Sequence, residues 1–259
     1  MNKKEIYGSF GIEFKAGKIF HPRFGWIAPL LIDGNSKLGK GVWTFSTLAG
    51  SIGWKIEIDG ESMEVFGTCP CNCNGCYAQT GFFRMPSVVK ANAIKTILCR
   101  EDLDFVKRAI MAQIIADGVK LLRIHASGDF FSADYIEAWR EIVKASPAVL
   151  FWTYTKNRAA EEAFDDLNNI NIVKSIIPGY GFNFGPCGYI LKVYKALREL
   201  EKPVYICRCG IDKNQHCTNC HGCAKNEYVL FIEHSTNYKA EEDPLFPELY
   251  EIIENQPKQ

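Results

Sequence analysis

VKLLRIHASGD, residues Val119–Asp129, carries the reading of the fold. Leu121, Leu122 and Ile124 give it the apolar density of a buried strand, and Gly128 with Asp129 closes it in a turn. Upstream, Val106, Ile110 and Ile114 recur at helical spacing, and Gly118 supplies the stop. Downstream, Ser132 is placed to N-cap a helix that buries Ile136, Trp139 and Val143. A strand held between two helical periods points to a parallel sheet, and the chain repeats the pattern outward in both directions.

Ser62–Thr68 (SMEVFGT) reads as the first strand of the set, Ala148–Asn157 (AVLFWTYTKN) as the third and Asn171–Gly181 as the fourth. Lys202–Gly210 and Glu227–Ser235 read as the fifth and sixth. A short helix over Ala160–Asn168 and a longer one burying Ile190, Val193, Leu197 and Leu200 connect them. The expectation is an α/β chain built as a partial (βα)6 barrel, with an open doubly wound sheet as the alternative. Residues 1–60, rich in glycine and aromatics, read as an N-terminal β-rich cap on a barrel spanning 61–240. Residues 241–259 read as an acidic, solvated tail.

At 259 residues the chain can bury a sizeable core. Thirty basic against thirty acidic residues show no general basic footprint for nucleic acid. No apolar run approaches the roughly 18 residues of a membrane span, and the N-terminus has no signal-like apolar stretch, so the expected place is the cytoplasm with no membrane contact. In a reducing compartment, the eleven cysteines point to metal ligation or catalysis rather than disulfides. Cys99 and Cys187 stand alone and read as small buried hydrophobes; the other nine fall in two groups.

Catalytic groups of βα folds gather at the C-terminal ends of the strands. There stand Ser127, Gly128 and Asp129 after one strand, and Tyr154, Thr155, Lys156 and Asn157 after the next. Pro178, Gly179 and Tyr180, then Cys207 and Cys209, then Glu233 and His234 follow the later strands. After Ser62–Thr68 come Cys69, Cys71, Cys73 and Cys76. Cys69, Cys73 and Cys76 form C-x3-C-x2-C, three thiolates able to bind three irons of a [4Fe-4S] cube and leave the fourth open; zinc and free thiols are the alternatives. The segment 207–223 offers Cys209, Cys217, Cys220 and Cys223 for a closed four-thiolate site holding zinc or a second [4Fe-4S] cluster, with Cys207 in reserve. Arg123 and His125 alternate with Leu122 and Ile124 and are expected on one face of their strand.

The C-x3-C-x2-C loop at a strand end resembles the cluster loop of radical S-adenosylmethionine (SAM) enzymes. That resemblance implies SAM bound at the open iron, its methionine held by the Ser127–Gly128–Asp129 turn, and its ribose or the substrate held by Tyr154, Thr155, Lys156 and Asn157. It further implies an external electron donor and reductive cleavage of SAM. "LGKGVWTFSTLAG", "TCP" followed by "CYA", "RIHASGDF", "YIEAW" and "FWTYTKN", with late cysteines before "FIEH", are similar in order to the phage gene-product-eighty-eight family. That likeness implies a phage protein in the host cytoplasm and makes nucleic acid or a nucleotide a reasonable target. The alternative is a metal-stabilised protein that binds nucleic acid or a host protein without catalysis.

Overall fold

The computed structural model describes residues 1–256 other than 35–37, 59, 72, 74, 75, 178, 180, 209, 210, 212–216 and 233–238. Its centre is a five-stranded sheet in the order Ile170–Lys174, Leu150–Thr155, Leu121–Ile124, Val42–Thr44, Ile32–Asp33. The first four run parallel and the last is antiparallel. The register sets Leu121 beside Leu150 and Ile124 beside Thr153.

The helices of this sheet lie on one face. Leu103–Asp117, capped by the Asp102 side chain and ended by left-handed Gly118, and Ala133–Ala145, capped by Ser132, pack on it. Ile110, Val106, Trp139, Ile142 and Val143 meet Leu122, Ile124 and Phe151 in the main core, which also takes Tyr7, Ile12, Ile19, Leu30 and Leu31 from the N-terminal region. Burial of side chains this large at about 25 cal/mol per Å² is the dominant stabilising term.

Strand alternation then directs Val42, Leu121, Arg123, Trp152, Tyr154, Asn171 and Val173 to the opposite face. That face is covered by the second cysteine segment. Val42, Trp152 and Leu121 pack with Cys217, Cys223 and Ala224, and Val173 with Tyr205, Cys207 and Cys220. The Asn171 amide donates 2.8 Å bonds to the Cys223 and Asn226 carbonyls and fastens the segment down.

A second, three-stranded parallel sheet, Phe184–Gly185, Tyr228–Ile232, Val204–Ile206, adjoins the first where Lys174 N–H donates to Glu227 O at 3.0 Å. The helix Cys187–Glu199 packs on it through Ile190, Val193 and Leu197. Among the described residues the strands form five separate sheets, and none closes on itself.

Three assignments differ from the sequence reading. The first parallel strand is Val42–Thr44, which lies within the stretch read as the cap; three residues are too few to show periodicity. Ser62–Thr68 instead falls in an antiparallel hairpin of Gly53–Ile58 with Glu61–Phe66, turned at Gly60 with φ +86°. The stretch read as a solvated tail contains the helix Phe246–Asn255, whose Leu249 and Ile253 are buried in the second core. Its acidic residues occupy the outer face, so composition concealed an amphipathic period.

Candidate metal centre

The C-terminal rim of the central sheet is built from three converging loops. Phe45–Gly50 continues from Val42–Thr44, and backbone bonds from Phe45 N to Arg123 O (3.1 Å) and from Thr47 N to Ser127 O (3.0 Å) dock it on the loop 125–130. The hairpin then returns the chain, and Thr68 N donates to Leu48 O at 3.0 Å. The Thr47 and Thr68 hydroxyls meet at 2.8 Å, and Thr68 Oγ1 accepts the Asp129 N–H at 3.0 Å. Gly128, with φ +87°, lies so close that a Cβ there would overlap both threonine hydroxyls. Only glycine fits this turn.

Asp129 is the hub of the rim. It is 3% exposed, and its carboxylate accepts from Thr155 Oγ1 at 2.6 Å, Lys156 N–H at 2.9 Å and Phe130 N–H at 2.8 Å. Burial raises its pKa, and these three donors oppose the rise by favouring the carboxylate. Thr155 Oγ1 also accepts the Asn157 N–H at 2.9 Å, and Asn157 Nδ2 donates to Phe130 O at 3.1 Å. Ser127 Oγ donates to Thr47 O at 2.8 Å. The turn 127–129 and the strand end 155–157 are therefore directed into one another.

The first cysteine group stands above this hub. Cys69 and Gly50 exchange 3.2 Å bonds, Gly50 N–H to Cys69 Sγ and Cys69 N–H to Gly50 O. Burial pushes the Cys69 thiol up to about 12; the Gly50 N–H and the Lys156 charge pull against the rise, while Asp129 and Cys76 add to it. Cys71 Sγ and Cys73 Sγ are 3.7 Å apart. Cys69, Cys71, Cys73 and Cys76 are all half-buried. Cys69, Cys76, Asp129 and Lys156 thus share one electrostatic site.

The second group is more deeply set. Cys207 and Cys220 are buried, Cys217 and Cys223 half-buried, and Tyr205 OH lies 3.2 Å from Cys220 Sγ. Tyr154 bonds to Cys223. Cys209, together with Pro178, Tyr180, Glu233 and His234, lies outside the described residues. Between the two groups stands Arg123. Its Nη2 donates to Tyr77 OH at 2.9 Å, and its guanidinium sits 4.8 Å from the Tyr154 ring centre. Tyr77 OH in turn donates to Ala126 O at 2.6 Å.

His125 does not share the face of Arg123. It adopts φ +59°, which breaks the strand alternation and turns the ring toward the helices, among Phe45, Phe130, Tyr135 and Trp139. Its Nε2 lies 2.8 Å from Tyr135 OH, while Nδ1 is buried without a hydrogen bond. Burial, then the Arg123 charge, lowers its pKa to about 3, so the ring is neutral.

Among the described residues no three or more Cys, His, Asp or Glu side chains stand as a ready-made metal cage. Cysteine sulfur is the ligand a thiophilic metal prefers, and each group carries at least four cysteines close together in the chain. The Asp129 carboxylate already accepts two protein donors at Oδ1 and one at Oδ2. No sequence motif marks Thr47, Thr68, Tyr205 or the stacking of Arg123; the glycine in SGD is the one local sign of a close approach.

Fold and site together define a thiol-rich mixed α/β protein with one cysteine group on the rim of a parallel sheet and another against its face. The family model for Gene product 88 matches residues 29–176, more than half of the chain, and the chain belongs to that family. It is 49% identical to the Gene 88 protein of Mycobacterium phage L5 over 41 residues, 16% of this chain and 17% of that protein. It is 38% identical to the Gene 88 protein of Mycobacterium phage D29 over 65 residues, 25% of each. The chain thus spans a quarter or less of the curated relatives it matches. No solved structure is similar to it at a significant level. Among the described residues no helix is long and apolar enough to cross a membrane.

Proposed function

We propose that this chain is an iron-sulfur protein in which Cys69, Cys73 and Cys76 hold a [4Fe-4S] cluster at the working rim of a partial βα barrel. Cys217, Cys220 and Cys223, completed by Cys207 or Cys209, would hold a structural metal, zinc or a second cluster. The observation that supports this division is the difference in setting: the first thiols are half-exposed beside Lys156, whereas the second group is wedged against the sheet. A closed site pins a loop, while an open one can meet a reactant.

The cluster would supply one-electron reduction from an external donor, and the resemblance of the loop makes SAM the first co-substrate to test. The chain's own contribution is to seat the loop. The Gly50 N–H and the Lys156 cation only partly oppose the burial that raises the Cys69 thiol, and the Thr47–Thr68–Gly128 contact fixes the loop's base against the strand ends. Asp129 ties the two strand ends of the rim together.

Anaerobic reconstitution followed by iron, sulfide and zinc analysis and electron paramagnetic resonance tests the reading. Brown protein with a reduced-cluster signal lost in Cys69→Ser and Cys76→Ser is expected, and 5′-deoxyadenosine formed from SAM with dithionite would establish the reaction. A colourless protein carrying zinc alone would overturn it.

A further inference from the structure

We propose that the rim beside the first cysteine loop docks single-stranded nucleic acid, with Tyr77 and Phe82 as stacking platforms and Arg84 as a phosphate contact. The inference rests on this rim being the working face, but not on which metal the loop holds.

Three observations carry it. Directly after Cys76 the chain makes two short 3-10 turns, Tyr77–Gln79 and Gly81–Arg84, that present large apolar groups to solvent: Tyr77 is 56% exposed, Phe82 82% and Met85 47%. Isolated apolar side chains on a surface need no explanation, but here three large ones are exposed within nine consecutive residues that directly follow a thiol loop. The Tyr77 ring is also immobilised: its hydroxyl is clamped between Ala126 O and Arg123, and Phe83 meets it edge-on at 5.7 Å. A ring fixed before binding loses little entropy when a base stacks on it.

The third observation is charge. Between Glu64 and Glu101 the chain has no aspartate or glutamate and carries Arg84, Lys90, Lys95 and Arg100, in a protein whose overall charge is balanced. Lys95 is buried and Arg100 donates to Gly67 O, which leaves Arg84 and Lys90 exposed, Arg84 two residues after Phe82. Lys156 adds its positive field from the neighbouring strand end. Exposed rings on a chain segment that carries cations and no carboxylate match a strand whose bases present π-faces and whose phosphates repel carboxylates. A duplex keeps its bases stacked inside, so the rings have nothing to engage there.

Fluorescence anisotropy of the full chain with labelled oligothymidylate and oligouridylate of about 20 nucleotides tests this, with a duplex of equal length as the comparison. Binding of at least one single strand in preference to duplex is expected. Phe82→Ala should weaken it about tenfold, Arg84→Gln should lower the salt slope by about 0.7, and Tyr250→Ala on the distant C-terminal helix should leave it unchanged. Each variant is checked by circular dichroism and metal content, and binding is measured on metal-loaded and metal-free protein. Loss of the cluster reading would then show as absent iron with oligonucleotide binding intact. The proposal is overturned if neither oligonucleotide binds at low salt, if Phe82→Ala and Arg84→Gln bind like the parent, or if Phe82→Ala instead abolishes capture of a protein partner.

Discussion

Thr155 Oγ1 donates a 2.6 Å hydrogen bond to the Asp129 carboxylate and so ties together the ends of two adjacent parallel strands. Asp129→Ala would leave the buried Thr155 hydroxyl and Phe130 N–H, and the half-buried Lys156 N–H, without their acceptor, at a cost of about 3 kcal/mol or more. Urea denaturation measures it. An unchanged midpoint would show that the carboxylate is held for a ligand rather than for the fold.

His125 makes stability fall in acid. Its folded pKa of about 3 lies below the ordinary value of 6.5, so between these limits the unfolded chain binds the extra proton. The group contributes full stability above pH 6.5 and loses about 1.4 kcal/mol per pH unit as the pH falls toward 3. His125→Asn, which tolerates a left-handed backbone, should flatten the slope between these values in denaturation series at several pH values.

Lys95 carries a buried charge under the Phe45 ring, 5.5 Å from its centre. Burial lowers its pKa from 10.5 to about 8, partly offset by Cys99, so the penalty is complete below pH 8 and fades between there and 10.5. Lys95→Met should therefore raise stability at pH 7 by about 1–3 kcal/mol, with the gain shrinking at pH 10. Equal gains at the two pH values would contradict a buried cation.

Leu249 is fully buried in the second core, although its surroundings in sequence are acidic. Leu249→Ala should cost about 2–4 kcal/mol through transfer and cavity terms. Gln256 extends the same contact, accepting the Ile206 N–H at 2.6 Å and donating to Ile206 O at 3.2 Å. Hydrogen exchange should accordingly show faster opening of Val204–Ile206 in Leu249→Ala.

Much of the βα order was legible because long periodic elements declare themselves. Gly118 and Ser132 stand at the helix ends where they were expected, and the Leu121–Ile124 and Leu150–Thr155 strands lie inside their predicted spans. Val42–Thr44 was missed because a three-residue strand has no period of its own, and its place is set by pairing with Leu121–Arg123. Strand alternation puts His125 on the face of Arg123, but it holds only while φ stays in the β region, and His125 adopts φ +59°.

Local pattern along the chain supplies the inventory: two dense cysteine groups, a parallel βα rhythm and a set of polar strand ends. Their use depends on long-range packing. It directed Asp129 inward to bind the strand ends, set the second cysteine group against the sheet face, and left the first on the rim beside exposed aromatic rings. Spacing along a chain limits which groups can meet, but which donor reaches a carboxylate first is settled by packing among residues far apart in sequence.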